Sequence, residues 1–298
     1  MVYISHLCYN IIYKTKEKLM RELKVKEISE IVSEMLVDAS HNIPCDVLSS
    51  LNEAFKKEES ELGKEIIQRI IDNDLLAKDK KLPMCQDTGI VVVFLEVGYD
   101  VHFDGDIYDA INEGVRDAYV NGYLRKSVVK HPLDRINTKD NTPAIVHVRL
   151  VKGDKVKITV APKGGGSENV SVSKILIPAD GKEGITKFVL DTVSSASGKP
   201  CPPIIVGVGI GGDLEKCALL AKEALMEPLD QENMDPILNQ FEKELKDKIN
   251  KLGIGPAGMG GRITCLGVKM KAYPCHIASL PVAINIQCHA SRHKTRVI

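Results

Sequence analysis

The run Ile90-Val91-Val92-Val93-Phe94-Leu95-Glu96-Val97 constrains the fold more than any other stretch of the chain. Alternate side chains of a strand point to opposite faces, and here both faces are apolar, so residues 90–97 require cover on each side. The run is also far shorter than the ~20 residues that cross a bilayer. Helices able to supply the cover are written around it. Ile28, Ile31, Val32, Met35 and Leu36, then Leu62, Ile66, Ile67, Ile70 and Ile71 behind a Ser60 cap, recur at helical spacing and predict three helices within residues 26–77. Ile107, Ala110, Ile111, Val115, Ala118 and Tyr119 predict a fourth, and three more are expected near 182–195, 213–226 and 235–251. Residues 146–151 and 155–160 flank Gly153-Asp154 and read as a hairpin; a strand is expected at 204–206, and the last fifty residues are glycine-rich, then strand-like.

The expected class is α+β (mixed α/β): a helical N-terminal region packed on a mixed β-sheet core with covering helices. A single catalytic domain is expected over residues 25–298, with no internal repeat, and residues 1–24 read as a loosely attached leader in which Met20 is an alternative start to Met1. Residues 1–12 are moderately apolar and the basic cluster Lys14, Lys16, Lys18, Arg21 follows them, the reverse of a secretory signal. Forty basic residues balance forty acidic ones and are spread along the chain, so it carries no field suited to nucleic acid or an anionic membrane.

Eight cysteines at long spacings, with no CxxC pair, exclude a zinc ribbon or a thioredoxin-like motif and fit reduced thiols in a cytoplasm. Cys217 and Cys265 fall in apolar patterns and belong to the core; Cys8 and Cys45 have nothing catalytic near them. Three others differ. Cys85 lies in Pro83-Met84-Cys85-Gln86-Asp87-Thr88-Gly89, Cys201 in Pro200-Cys201-Pro202-Pro203, and Cys288 in Gln287-Cys288-His289-Ala290-Ser291-Arg292-His293. Prolines and polar neighbours hold these thiols on loops, where a metal ligand sits. Three isolated thiolates suit a cubane iron–sulfur cluster whose fourth iron stays open as a Lewis acid. Cys275, in Tyr273-Pro274-Cys275-His276, rivals Cys288 as the third ligand, and spacing does not rank them.

Asp87 and His276 together would form an acid–base relay, the carboxylate fixing the imidazole tautomer. Gly164-Gly165-Gly166 followed by Ser167 is either a plain turn or a place where backbone N–H groups close on a carboxylate. Arg125, in a basic loop with Lys126, Lys130 and His131, has the planar fork that a substrate carboxylate fits. Gly207-Val208-Gly209-Ile210-Gly211-Gly212 satisfies G-x-G-x-x-G after a strand and before a helix, which raises a second class, an NAD-binding oxidoreductase. Against it, no strand ends in an acid about twenty residues on, and Asp213 puts negative charge where a pyrophosphate would lie.

Taken together, the motifs at 83–89, Lys163-Gly164-Gly165-Gly166-Ser167-Glu168-Asn169, Lys199-Pro200-Cys201-Pro202-Pro203 with Gly211-Gly212, and His276-Ile277-Ala278-Ser279-Leu280-Pro281-Val282-Ala283 leading to Cys288 resemble, in order, those of the α subunit or N-terminal half of class I iron–sulfur fumarases and the related L-tartrate dehydratases. The resemblance runs from about residue 27 to the end. It implies a [4Fe–4S] cluster on Cys85, Cys201 and Cys288, substrate contacts from Gln86, Arg125 and Gly165, and acid–base roles for Asp87 and His276. It further implies a separate β subunit supplying the carbon-proton base, a hetero-oligomer, and hydration of fumarate to (S)-malate as the first expectation. L-tartrate dehydration is the close alternative; a non-catalytic iron–sulfur subunit is the remaining one.

Overall fold

The computed structural model describes residues 20–298. In chain order it runs β1 (Arg21–Leu23), α1 (Val25–His41), α2 (Cys45–Lys57), α3 (Glu61–Lys80), β2 (Ile90–Gly98), β3 (Val101–Phe103), α4 (Ile107–Asn121), β4 (Ile145–Val151) and β5 (Val156–Lys163). A single helical turn α5 (Gly165–Glu168) follows, then β6 (Val172–Leu176), α6 (Gly181–Ala196), β7 (Ile204–Gly211), α7 (Leu214–Ala224), α8 (Pro236–Asn250), β8 (Cys265–Tyr273), β9 (Leu280–Gln287) and β10 (Lys294–Val297). The class is α+β, as the residue patterns indicate. Ser60 caps α3 by accepting the Gly63 N–H at 3.1 Å.

Two four-stranded sheets form the frame, in the orders β10-β5-β2-β4 and β6-β9-β7-β8. They repeat one arrangement. In each, a central strand (β2 or β7) has a parallel neighbour reached through helix (β4 or β8) and, on its other side, an antiparallel neighbour (β5 or β9), beyond which lies one more antiparallel strand. No sequence repeat announces this duplication. The strands 146–151 and 155–160 are therefore no hairpin: β2 lies between β4 and β5 and pairs with both. Their connection arches over the end of β2, where Gly98 N–H donates to Lys155 O and Asp100 N–H to Gly153 O, both at 2.9 Å. The strand with the most apolar surface takes the central place, which the turn alone did not foretell.

Val91, Val93, Leu95 and Val97 of β2 pack under α1 and α4 with Val156, Ile158 and Val160. The other face of β2 is covered less tightly: Val92 is buried, Phe94 stacks on His147 of β4 with ring centroids 5.3 Å apart, and a cleft of about 220 Å³ separates this face from α7. In the second sheet, Ile204, Val206 and Val208 face α6 and α8. Gly207 and Gly209 face α7, where a Cβ would stand 2.1 Å from Ala221 O or 2.0 Å from Cys217 O. The helices thus cover the sheets from outside and α7 lies between them. Of the stretch expected as a loose leader, residues 1–19 lie outside the described residues; Arg21–Leu23 is an ordered strand, β1, paired in parallel with β3, with Leu23 in the core. Its register with Val101–Phe103 shows why: Leu23 is apolar and its backbone has a ladder to complete. Among the described residues no helix is long and apolar enough to cross a membrane.

Candidate active site

The duplicated sheets bring four loops to one place. The loop before β2 carries residues 85–89 and the loop after β5 carries residues 164–166; these strands are antiparallel, with Ile90 opposite Lys163, so the two loops lie side by side. The second sheet repeats this, with Cys201 just before β7, Cys288 just after β9, and Ile205 opposite Gln287. After Cys288 the chain crosses back to the first sheet as β10.

Asp87 is the most fully fixed side chain here. Its Oδ1 accepts the Gly89 N–H at 3.0 Å and its Oδ2 accepts the Gly165 N–H at 2.8 Å. The glycine turn therefore does close on a carboxylate, and that carboxylate belongs to the protein. Gly89 permits the contact: its φ is +78°, and a Cβ there would meet the Lys163 carbonyl oxygen at 2.6 Å. Behind the turn, buried Tyr119 donates its hydroxyl to Thr88 O at 2.6 Å and Asn141 Nδ2 donates to Gly89 O at 3.1 Å. Burial pushes the Tyr119 phenol well above its ordinary value, so it remains a donor. Thr88 Oγ1 donates to Arg125 O at 2.9 Å and anchors the basic loop beside the site, with the Arg125 side chain exposed. Among the described residues no carboxylate forms an ion pair with Arg125.

Cys85 and Cys288 share an apolar floor of Ala77, Met84 and Ala290. Burial raises the thiols of Cys201 and Cys288 above the usual thiol range, and Cys85 adds to the shift at both, so Cys85 is the electrostatic neighbour of each. Arg292 and Lys163 pull Cys288 the other way. Cys201 has φ +53°, a left-handed conformation that costs a non-glycine residue about 1 kcal/mol and is met where function requires it. Gln86 Oε1 lies 3.6 Å from Cys85 Sγ, with the rest of the amide exposed.

No three of the described His, Cys, Asp and Glu side chains close on a single metal ion. A cubane asks for something else: each thiolate binds a different iron, so the sulfurs surround the cube without sharing one centre. Cys85 and Cys288 over an apolar floor, Cys201 on the adjoining loop and a buried cation beside Cys288 fit that group. Insertion would displace protons from Cys201 and Cys288.

Two expected pairings are not made. Cys275 and His276 sit in the connection from β8 to β9, across the far end of β7, where Gly212 N–H donates to Pro274 O. The length of β9 separates them from Cys288, roughly 25 Å at about 3.3 Å per residue. Cys275 Sγ instead contacts Ser279 O at 3.3 Å, which removes it as a rival third ligand. His276 is exposed, its Nδ1 accepting the Ala278 N–H at 3.1 Å, and within one chain it forms no relay with Asp87. Spacing left Cys275 and Cys288 unranked; the strand between them separates the two. Cys217 and Cys265 are core residues, the latter pushed up to about 12 by burial. The glycines at 207 and 209 face the α7 backbone, so the motif serves close packing.

Residue patterns missed a buried cation. Lys163, 4 % exposed, donates from Nζ to Ser167 Oγ and to Ile286 O, each at 2.8 Å, joining β5 to β9. Burial lowers its ammonium to about 8 despite Glu168 nearby. Burial alone would raise the Glu168 carboxyl; Lys163 and Lys222 bring it below the ordinary range. The signal was present in the lysine that opens the glycine motif.

The chain matches the model of the family described as Fumarate hydratase (Fumerase) over residues 29–297. It is similar to the putative L(+)-tartrate dehydratase subunit alpha of Methanocaldococcus jannaschii, at 44 % identity over 279 residues, which is 91 % of this chain and 98 % of that one. It is also similar to the L(+)-tartrate dehydratase subunit alpha of Escherichia coli O157:H7, at 32 % identity over 282 residues and 93 % of both chains.

Proposed function

The chain belongs to the fumarate hydratase (Fumerase) family of hydro-lyases, and from that premise we propose that it is the α subunit of an iron–sulfur hydro-lyase acting on a four-carbon dicarboxylate. The observation that carries the reading is the gathering of Cys85, Cys201 and Cys288 next to an Asp87 carboxylate already fixed by the Gly89 and Gly165 N–H groups. Cys85, Cys201 and Cys288 would hold a [4Fe–4S] cluster. When bound, such a cluster supplies an open Lewis-acidic iron, which makes hydroxide an acceptable leaving group.

The chain's own residues do the remaining work. Asp87 presents its carboxylate oxygens to the substrate hydroxyl and passes a proton at that position, held in place without a reorganisation cost. Arg125 offers an unpaired guanidinium to a substrate carboxylate, and Gln86 an exposed amide beside Cys85. Gly165 positions the acid–base group through its N–H, and it meets a substrate carboxylate only when Asp87 releases that donor. His276 serves the reading at a site to which another chain brings it. Relatives named as alpha subunits support a companion β subunit, which would supply the base for the carbon-bound proton.

Two substrates are consistent with this chemistry. The family description favours fumarate hydration to (S)-malate; the names of the relatives favour dehydration of L-tartrate to oxaloacetate and weigh at least as much. The test is turnover of the reconstituted two-subunit enzyme with fumarate, (S)-malate and L-tartrate side by side. Faster turnover of tartrate selects the second substrate, and no turnover of any of them by iron-loaded enzyme sinks the proposal.

A further inference from the structure

Arg292 is 2 % exposed, yet no carboxylate among the described residues forms an ion pair with it. Its Nη1 donates to Asp87 O at 2.7 Å, while its Nε is buried and has no hydrogen-bond partner. A Cβ placed on Gly164 would lie 3.2 Å from Asp87 Oδ2 and 3.6 Å from Arg292 Nη2, so the guanidinium borders the same glycine turn as the acid–base carboxylate. Arg292 also acts electrostatically on Cys288, four residues earlier.

A buried guanidinium without a counter-charge is expensive, and proteins keep one where an anion completes the site. The anionic candidates around Arg292 are few. Asp87 faces it mainly through a carbonyl oxygen and gives its carboxylate to two backbone N–H groups. Lys163, which also acts on Cys288, is a second cation and cannot balance the first. What remains are the sulfurs of Cys85, Cys201 and Cys288 and whatever inorganic anion they carry.

We infer that Arg292 is the buried counter-charge of the iron–sulfur cluster and a positioning residue for Asp87, its otherwise unused Nε–H left to donate toward the sulfur-rich anion. The inference rests on the cluster reading above and goes beyond it: one residue ties the electrostatics of the metal site to the placement of the acid–base group. Positive charge and N–H donors near a cluster stabilise its reduced, more negative form. Removing them lowers the reduction potential.

The experiment uses the full chain, purified without oxygen and loaded with iron and sulfide, as wild type, Arg292→Gln and Arg292→Lys. Glutamine can still donate to Asp87 O but carries no charge; lysine keeps the charge and loses the fork. Iron and sulfide content, the one-electron midpoint potential followed by electron paramagnetic resonance, and thermal unfolding of the cluster-free chains are read together. Arg292→Gln is expected to hold the added electron about tenfold more weakly, ~59 mV for a one-electron couple, or to lose the cluster while the cluster-free chain unfolds like wild type. Arg292→Lys should fall between the two. If Arg292→Gln does not fold, Arg292→Lys decides: a lowered potential or poorer iron retention supports the inference. A loaded Arg292→Gln, or in its absence a loaded Arg292→Lys, with the wild-type potential overturns the inference alone. A wild-type chain that takes up no cluster overturns it together with the reading on which it rests.

Discussion

Gly165 donates its backbone N–H to Asp87 Oδ2 at 2.8 Å, across 78 residues of chain and between two loops at adjacent strand ends. The bond places the Asp87 carboxylate, proposed above as the acid–base group, by main chain, so its position does not depend on a side-chain rotamer of any partner. Asp87→Asn keeps an oxygen able to accept that bond and loses the charge. Turnover of the assembled enzyme should fall by ~10²–10⁴, with iron content and unfolding temperature unchanged.

Gly89→Ala tests the geometry beneath that bond. A side chain at φ +78° with a Cβ 2.6 Å from the Lys163 backbone has no room. Urea unfolding should show a loss of at least ~2 kcal/mol.

Iron and sulfide analysis separates the cysteines. Cys85→Ser, Cys201→Ser and Cys288→Ser should each lose most of the bound iron. Cys275→Ser and Cys217→Ser should retain it, the first because its sulfur stands a strand length away, the second because it packs between α7 and β9.

His276→Asn lies on the exposed connection between β8 and β9, so iron content and unfolding should match wild type. Turnover of the assembled enzyme should still drop ~10²-fold, as the proposed acid–base role requires. Unchanged turnover would remove His276 from the mechanism.

Asp74, 1 % exposed on α3 and with Oδ2 unpartnered, is raised by burial to about 6, against a weaker opposing contribution from Asn73. The folded chain therefore binds this proton more tightly than the unfolded one, and stability from this residue declines as pH rises from about 4 through 6. Asp74→Asn should flatten that decline and stabilise the chain at neutral pH by on the order of 2 kcal/mol, measured as unfolding free energy against pH.

Much of this was legible in the residues. Helical spacing located α1 through α4 and α6 through α8 because each buries one continuous apolar stripe, and the proline-flanked cysteines stood out because their neighbours cannot pack. Strand order was not legible. The β4–β5 connection reads as a tight turn, yet it spans a third strand, as does the β8–β9 connection, since period-two patterns fix which face a strand buries and say nothing of its neighbour. The same blindness left Cys275 as a rival to Cys288 and joined His276 to Asp87. Arg292 was hidden for another reason: a lone arginine in a polar string reads as surface, and only its burial beside Asp87 makes it informative.

The segment from Cys288 to Lys294 leaves one sheet and enters the other, so the peptide bearing the last thiol is also a stitch between the two halves of the frame, the second after the one from β5 to β6. Damage to the inorganic centre would then not stay chemical. If Cys288 holds the proposed cluster, slack introduced there by its loss would loosen the grip of one half on the other, and the cluster-free chain would be cut by proteases faster along the join.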